Sequence, residues 1–429
     1  ITHTNASDYD RFAAQVESEF DQCHPLALTM KANSMDTPNW HQAMNGLDSD
    51  GYWQAMELEL ETLLGKDAWV EVDREDYMNV LPSTWAFKCK RFPDGLVRKL
   101  KARFCVRGDC QIDGVDIFDT YAPVVSWTTV RLLLILSVVL GLATKQVDYA
   151  AAFVQAELDE DEKVFVEMPK GFKRRGKVLR LKRALYGLRQ SPRTWFEHLK
   201  GKLTSDSVGF EQSPNDPCLF YTKDVICVIY VDDCLFFSPS DDAIEATHDR
   251  TREADLDFNI EEDVAGFVGV LITAKNDGTG AIELTQTGLI DRIITAMGLD
   301  SANVSQTPAE YGALPKDLDG TDCQEDWNYR SVLGMILYLC NTRPDVMFAT
   351  SQCARYTANP RHSHEVALKR IGRYLKGTRT RGLVLNADDG LDIELFVDAD
   401  FAGMHGYEDP DDPTSTRSRT GYVICIAKC

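Results

Sequence analysis

One stretch, CVIYVDDCLFF (residues 227–237), constrains the fold more than any other. It is apolar, β-branched and aromatic, yet two acids, Asp232 and Asp233, stand in its middle. ICVIYV before the pair and CLFF after it both read as strands. A buried, unpaired carboxylate costs on the order of several kcal/mol. Successive side chains of a regular strand point to opposite faces, so adjacent carboxylates converge only where the strand turns. The run therefore predicts two strands joined by a tight turn at Val231-Asp232-Asp233-Cys234. Like charges held that close raise each other's pKa unless cations lie between them. Carboxylate oxygens suit magnesium, and a further carboxylate would complete a two-metal site of the kind that serves phosphoryl displacement. The candidate third acid is Asp148 in KQVDYAAAF, a strand-like piece after a long apolar helix. An Asp-Asp pair alone can equally be a turn cap, so its surroundings must decide.

The net charge of −21 over 429 residues argues against a polyanionic partner, but the charge is unevenly spread. Between 88 and 107 stand Lys88, Lys90, Arg91, Arg98, Lys99, Lys101, Arg103 and Arg107 against one acid, Asp94. KRRGKVLRLKRALYGLRQSPR (173–193) has no acid, and RHSHEVALKRIGRYLKGTRTR (361–381) is a third basic block. Three such blocks on an acidic chain predict a localised anion-binding surface. The longest apolar run, LLLILSVVLGLA from Leu132, is shorter than the roughly 20 residues of a spanning helix, so no membrane partner is expected. The opening ITHTNASDYDRF has no secretory-signal pattern and no initiator Met, as expected of a piece of a longer product. Twelve cysteines without a C-x-x-C pair predict reduced thiols. His362-Ser363-His364 gives little support for zinc.

Helix and strand signals alternate irregularly, which predicts an α+β fold. WHQAMNGLDSDGYWQAMELELETLL reads as amphipathic helix, and WAFKCKRF and VRKLKARFCV as a hairpin about Pro93-Asp94-Gly95 carrying the first basic block. The stretch 300–326 is rich in turn formers and reads as a linker. Beyond it come three helical segments and a β-rich unit from Gly382 that stops in mid-strand at Cys429.

Several motifs in order carry a family resemblance. YVDD (Tyr230–Asp233), QVDYAAAF around Asp148, ALYGLRQSPRTW (184–195), KARFCVRGDCQIDGVDIFDTYAPVV, YRSVLGMILYLCNTRPDVMFA, KRIGRYLKGT, FVDADFAG and SRTGYV resemble the copia-type long-terminal-repeat retrotransposon Pol polyprotein from about Trp53 onward. The resemblance implies a right-hand polymerase: residues 1–37 a flexible lead-in, 38–258 fingers and palm, and 259–326 the primer-grip or thumb region and linker. It further implies a helical thumb or connection module over 327–381 and a truncated ribonuclease H-like start over 382–429.

By the same resemblance Asp148, Asp232 and Asp233 are catalytic. They would hold two Mg2+ ions, for which Mn2+ can substitute, with the Tyr149 backbone as a further ligand. Arg103, or its neighbour Lys101, would meet the incoming triphosphate. Phe153 would lie beneath the sugar and reject a ribose 2′-hydroxyl, although a ring there can also be core. Gly187, Gln190 and Ser191 would support the nucleotide, and Pro192, Tyr230, Phe267 and Gly269 the template and primer. Asp398 matches a first ribonuclease H aspartate; its partner acids are expected beyond Cys429, so no RNA cleavage is expected. The implied partners are RNA and DNA template–primer, dNTPs, and the protease, integrase and remaining ribonuclease H of the polyprotein. The implied location is cytoplasmic virus-like particles, with a nuclear phase besides. The implied activity is RNA- and DNA-templated DNA synthesis. Two other readings stay open: a catalytically silent nucleic-acid-binding relic, and an unrelated acidic interaction module.

Overall fold

The computed structural model describes residues 36–91, 97–159, 161–261, 264, 266–275, 279–386, 390–403, 405 and 416–429. Nearly all of the lead-in and the Pro93-Asp94-Gly95 turn lie outside them. The described chain has mixed helix and strand content, as expected, and forms two compact units, 36–130 with 142–263 and 131–141 with 264–429. No helix among the described residues is long and apolar enough to cross a membrane.

The first unit opens with helices α1 (Trp40–Asn45) and α2 (Ser49–Gly65). Strands β1 (Trp69–Asp73), β2 (Val80–Leu81), β6 (Phe165–Glu167) and β7 (Lys177–Leu181) make one sheet in the order β1-β7-β6-β2, and β3 (Ser83–Arg91) with β4 (Val97–Val106) makes a separate long hairpin. Alternation along β3 sets Trp85, Phe87 and Cys89 inward, where the first two pack with Tyr52, Met56, Trp69 and Phe104. Its other face carries Lys88 directly opposite Lys101 and Ala86 opposite Arg103. Helix α3 (Trp127–Leu140) follows; its later residues group with the second unit.

The main sheet of the first unit runs β12-β5-β11-β10-β9-β8. Its strands are β5 (Ala143–Tyr149), β8 (Glu211–Gln212), β9 (Leu219–Tyr221), β10 (Ile226–Tyr230), β11 (Asp233–Ser238) and β12 (Phe258–Glu261). One face sends Val147, Tyr149, Cys227, Ile229, Cys234, Phe236 and Phe258 into a core closed by α5 (Ser191–Leu203) and α6 (Asp241–Glu253), chiefly through Trp195, Phe196, Leu199 and Ile244. Helix α4 (Ala152–Gln155) is a single turn just after β5. Each Leu-, Phe- or Ile-sized side chain buried in this way stabilises the fold by about 1.5–3 kcal/mol.

The second unit holds a sheet in the order β13-β14-β15-β16, made of β13 (Gly266–Phe267), β14 (Val270–Ala274), β15 (Ile282–Thr285) and β16 (Leu383–Leu385). Helices α7 (Thr287–Ala296), α8 (Tyr329–Leu339), α9 (Met347–Ala354) and α10 (His362–Gly377) share a core of Leu289, Ile293, Leu333, Ile336, Leu368 and Leu375. Strands β17 (Ile393–Ala399) and β18 (Thr420–Ile426) form a two-stranded ribbon.

Residues 300–326 contain no helix or strand, but the segment is tied down rather than free. The Gln324 and Glu325 amides donate to buried Glu365 (3.0 and 3.1 Å), His364 Nε2 meets the Pro315 carbonyl at 2.8 Å, and Arg373 Nε donates to the Asn303 carbonyl at 2.8 Å. Burial works to raise the Glu365 pKa, but the Gln324 amide, His362 and the Glu325 amide outweigh it and hold the carboxyl below its ordinary 4.5. Burial likewise keeps His364 neutral by lowering its pKa from 6.5. A depressed carboxyl contributes stability that is present above its unfolded pKa and lost as pH falls through the folded one; a depressed imidazole is protonated first in the unfolded chain. Both effects weaken the second unit in acid. Thermal unfolding should therefore become easier from pH 7 towards pH 4. Glu365→Gln should cost about 2 kcal/mol at pH 7 and progressively less below pH 4.5. A pH-independent cost would refute this role for Glu365.

Candidate active site

The register of the main sheet assembles the acids. Strand β11 pairs with β5 so that Asp233 lies directly opposite Asp148, and β10 pairs with β11 so that Tyr230 faces Asp233. Directly opposed residues share a face and lie about 4.5–5.5 Å apart at Cβ. Asp148, Asp233 and Tyr230 therefore project from one side, opposite to the core-facing Tyr149 and Cys234. The turn is two residues shorter than the four the sequence suggests. Val231 and Asp232 alone form it, and Asp233 already belongs to β11. The Tyr149 amide donates to the Asp232 carbonyl at 2.9 Å and sews the turn to the end of β5.

Val231 has φ 55°, a left-handed conformation in which a β-branched side chain is a clear outlier. The strain is of order 1–2 kcal/mol. Trp195 holds it in place: its fully buried indole donates from Nε1 to the Val231 carbonyl at 2.6 Å, and its ring packs edge-on against Tyr149 with centroids 5.2 Å apart. The acids thus sit on a turn that is strained and braced from below.

Electrostatically the acids push one another up. Burial, then the charge of Asp232, push Asp233 up to about 7, although Gln146 Nε2 donates to its Oδ1 at 3.4 Å. Burial and then Asp232 also raise Asp148, with Lys101 and Arg103 pulling the other way. Glu261, facing Gln146 across β12 and β5, adds a fourth negative charge to both. The donors are all carboxylate oxygens, the set that suits a hard divalent cation. Among the described residues no three His, Cys, Asp or Glu side chains close on a common point as a finished ligand group. The backbone gathers the acids, near enough for Asp232 to raise both of the others.

Beside the acids lies the cationic face of the β3–β4 hairpin. Lys88 opposite Lys101 is a like-charge cross-strand pair, a destabilising arrangement. Arg103 rests its guanidinium on the Tyr186 ring, 4.5 Å from the centroid, and Phe153 meets the same ring edge-on at 4.9 Å.

A family model for reverse transcriptase (RNA-dependent DNA polymerase) matches residues 66–311. The chain belongs to the reverse transcriptase family. It is 30% identical over 413 residues to the retrovirus-related Pol polyprotein from transposon RE1 of Arabidopsis thaliana, covering 94% of this chain and 27% of that one. It is 29% identical over 391 residues to the Pol polyprotein from transposon TNT 1-94 of Nicotiana tabacum, covering 87% of this chain and 28% of the relative. The chain thus spans about a quarter of the length of the curated relatives it matches. These are copia-type Pol polyproteins, so the resemblance read from the motifs is borne out. Among solved structures, a foamy viral protease–reverse transcriptase in complex with double-stranded DNA is similar at a TM-score of 0.41 and 12% identity, over 80% of this chain and 51% of that one, too slight a likeness to build on.

Within this reverse transcriptase domain, the other residues singled out from the sequence fall in three places. Arg103 and Lys101 stand near enough to lower the Asp148 pKa, and Phe153 packs against the Tyr186 ring and both cores of the unit. Gln190 and Ser191 are buried, 1% and 0% exposed. Gln190 accepts from Gln111 Nε2 at 2.9 Å and donates to the Asp116 carbonyl at 3.1 Å, while Ser191 Oγ donates to the Leu185 carbonyl at 2.6 Å. Ser191 thus closes its own loop, and Gln190 ties that loop to the 111–116 segment. Gly187 does permit a close backbone approach, but to its own chain: at φ 93°, a Cβ there would lie 2.1 Å from the Val106 carbonyl oxygen. Pro192 occupies the first turn of α5. Phe267, Gly269 and Asp398 belong to the second unit. Phe267 is buried at a two-residue turn, Val268-Gly269, in which both φ angles are positive, and Asp398 lies on the exposed ribbon.

The basic blocks also need correcting. Most of the 173–193 block is spent on ion pairs with distant acids: Lys173 with Glu167, Arg174 with Glu71, Lys177 with Asp73, Lys182 with Asp67, Arg183 with Glu157, Arg189 with Asp113 and Arg193 with Asp119. In the 361–381 block Lys369 pairs with Glu325, Arg370 with Glu310 and Arg379 with Asp291. Exposed pairs stabilise little, but they cancel the field. In the hairpin block Arg107 pairs with Asp109, while Lys101 and Arg103 act on Asp148.

Sequence reading passed over Trp195, Tyr186, Glu59 and Glu261. The first two lie inside ALYGLRQSPRTW and were legible as motif letters, though not as contacts. Glu261 comes to the site through the pairing of β12 with β5, for which the sequence carries no signal. Removing the indole donor by Trp195→Phe should destabilise the domain by about 1–3 kcal/mol. Asp233→Asn should raise the melting temperature at pH 8, because it removes a carboxylate whose ionisation the site opposes. An Asp233→Asn variant that melts lower than wild type would contradict this electrostatic picture.

Proposed function

We propose that this chain is an RNA- and DNA-templated DNA polymerase, the reverse transcriptase of a copia-type retrotransposon, which joins dNTPs to a primer 3′-hydroxyl. In this reading 38–258 are fingers and palm, 259–326 the primer-grip or thumb region and linker, 327–381 a helical thumb or connection module, and 382–429 the start of a ribonuclease H-like unit. The observation that carries it is the meeting of Asp148, Asp232 and Asp233 at one sheet end beside the Lys101–Arg103 face. A stack of like charges on each side is costly for a protein alone, and a bound cation with a polyanion relieves both.

The residues that would hold two Mg2+ ions, or Mn2+, are Asp148, Asp232 and Asp233; such ions, when bound, acidify the primer hydroxyl and neutralise charge on the leaving pyrophosphate. Arg103 offers the triphosphate a planar fork of donors, which a lysine cannot reproduce. Lys101 and Lys88 add charge along the same face. Phe153, braced by Tyr186, fills the space beneath the sugar, so a ribose 2′-hydroxyl has no room. Tyr230, on the face of Asp233, lies where the primer end must arrive. The protease, integrase and remaining ribonuclease H are separate parts of the same polyprotein, which acts in cytoplasmic virus-like particles with a nuclear phase.

Primer extension on an RNA template with magnesium and dNTPs tests this. Wild type should extend, and Asp232→Asn should fall by at least about 10³-fold, the scale of losing a principal electrostatic stabiliser. Extension that survives Asp232→Asn, or wild-type binding of template–primer without extension, would contradict the assignment. Binding should weaken steeply between 50 and 200 mM salt, since phosphate contacts release counterions.

A further inference from the structure

The proposed function uses Tyr186 only as a brace for Phe153, yet its ring touches two residues that would handle the incoming nucleotide. The Arg103 guanidinium lies over one face of its ring, 4.5 Å from the centroid, and Phe153 packs edge-on at 4.9 Å and 65°. The residue is anchored through its backbone. The Tyr186 carbonyl accepts from the Val106 amide at 2.8 Å, and Gly187 presses its backbone against the same residue. That fastens Tyr186 to β4 three residues from Arg103. On the other side of the strand's end, Glu59 Oε1 accepts from the Phe104 amide at 3.3 Å and adds a negative charge that Arg103 feels.

Two consequences follow. A free arginine samples many rotamers and loses that freedom when it grips a phosphate, whereas one already lying on an aromatic plate binds with less ordering left to do. A phenyl ring can exclude a 2′-hydroxyl only if it cannot retreat, and packing against a fixed neighbour removes the space for retreat. We propose that Tyr186 is a positioning residue with both tasks: one ring aims Arg103 at the triphosphate and backs Phe153 against the sugar, so triphosphate affinity and sugar selection are coupled through it. This rests on the polymerase reading above.

The test compares wild type, Tyr186→Leu, Tyr186→Met and Tyr186→Phe in two assays on the full chain with a primer–template. The first measures KM and kcat for dTTP and UTP in single-nucleotide extension; the second measures retention of each nucleotide on the protein–primer–template complex without chemistry. Tyr186→Leu and Tyr186→Met should each raise the dTTP KM roughly tenfold, with a smaller change in kcat, and lower dTTP-over-UTP discrimination roughly tenfold. Tyr186→Phe, which keeps the ring, should rescue both. Combined with Phe153→Ala, Tyr186→Leu should cost little further discrimination; combined with Arg103→Ala, it should add little to KM. A ring that merely stabilised the fold would lower the melting temperature and kcat while leaving the sugar ratio and both couplings unchanged, and that result overturns the proposal. If Tyr186→Leu does not fold, Tyr186→Met supplies the same readings. Wild type that extends while the ring-less variants keep its KM and ratio sinks this inference alone. Wild type that neither extends nor retains nucleotide sinks the polymerase reading and this inference together.

Discussion

The structure of the site depends on one pairing: Asp148 on β5 lies directly opposite Asp233 on β11, with Asp232 in the two-residue turn beside them. Side-chain alternation makes register all-or-none, since a one-residue slip would send both acids into the core and Val147 and Cys234 out of it. The apolar face of the sheet, packed on Trp195, Phe196, Leu199 and Ile244, makes that slip prohibitively costly. The hydrophobic core is therefore what forces like charges together. The acids are half-buried and mutually repelling because the other side of the same strands is so well buried.

That arrangement stores free energy in several places. Val231 is held left-handed, Asp148 and Asp233 are both pushed towards their protonated forms, and Lys88 faces Lys101 across the neighbouring hairpin. Strain and repulsion of this kind persist only where the surroundings over-determine the backbone, and they concentrate at sites that do chemistry. Here the Trp195 indole on the Val231 carbonyl and the Tyr149 amide on the Asp232 carbonyl supply the over-determination. Opposite charges sit side by side: Asp148 and Asp233 stay raised even though Lys101 and Arg103 pull Asp148 down, and the same two cations also act on Glu59. Under the proposed function, a nucleoside triphosphate with divalent metal would engage both sets of charges.

Much of this was legible in the sequence because periodicity reports burial. Several runs named from the residues, VRKLKARFCV among them, correspond to elements of the structure to within a residue or two, whereas WHQAMNGLDSDGYWQAMELELETLL, read as one helix, is two, Trp40–Asn45 and Ser49–Gly65. What escaped was of another kind. The turn was read over Val231-Asp232-Asp233-Cys234 because a valine with positive φ gives no turn signal; the tight loop becomes evident only through the Tyr230–Asp233 pairing. Two basic blocks looked like anion-binding surface because the acids that cancel them are remote in sequence, as when Lys182 meets Asp67. Gln190 and Ser191 carry polar side chains in a motif rich in functional residues, and composition cannot say that both point inward to bond Gln111, Asp116 and Leu185. The stretch 300–326 has the composition of a linker and the contacts of a strap.

The claim on which the account turns is that one divalent cation site is built jointly by the 148 strand and the 232–233 turn. Iron(II)-mediated cleavage addresses it directly: Fe2+ occupying a Mg2+ site generates radicals with ascorbate and peroxide that cut nearby backbone. The account predicts cuts clustered at both segments, competed away together by Mg2+ and abolished together by Asp148→Asn. Cleavage confined to one segment, or cuts at 232–233 that persist undiminished in Asp148→Asn, would contradict it.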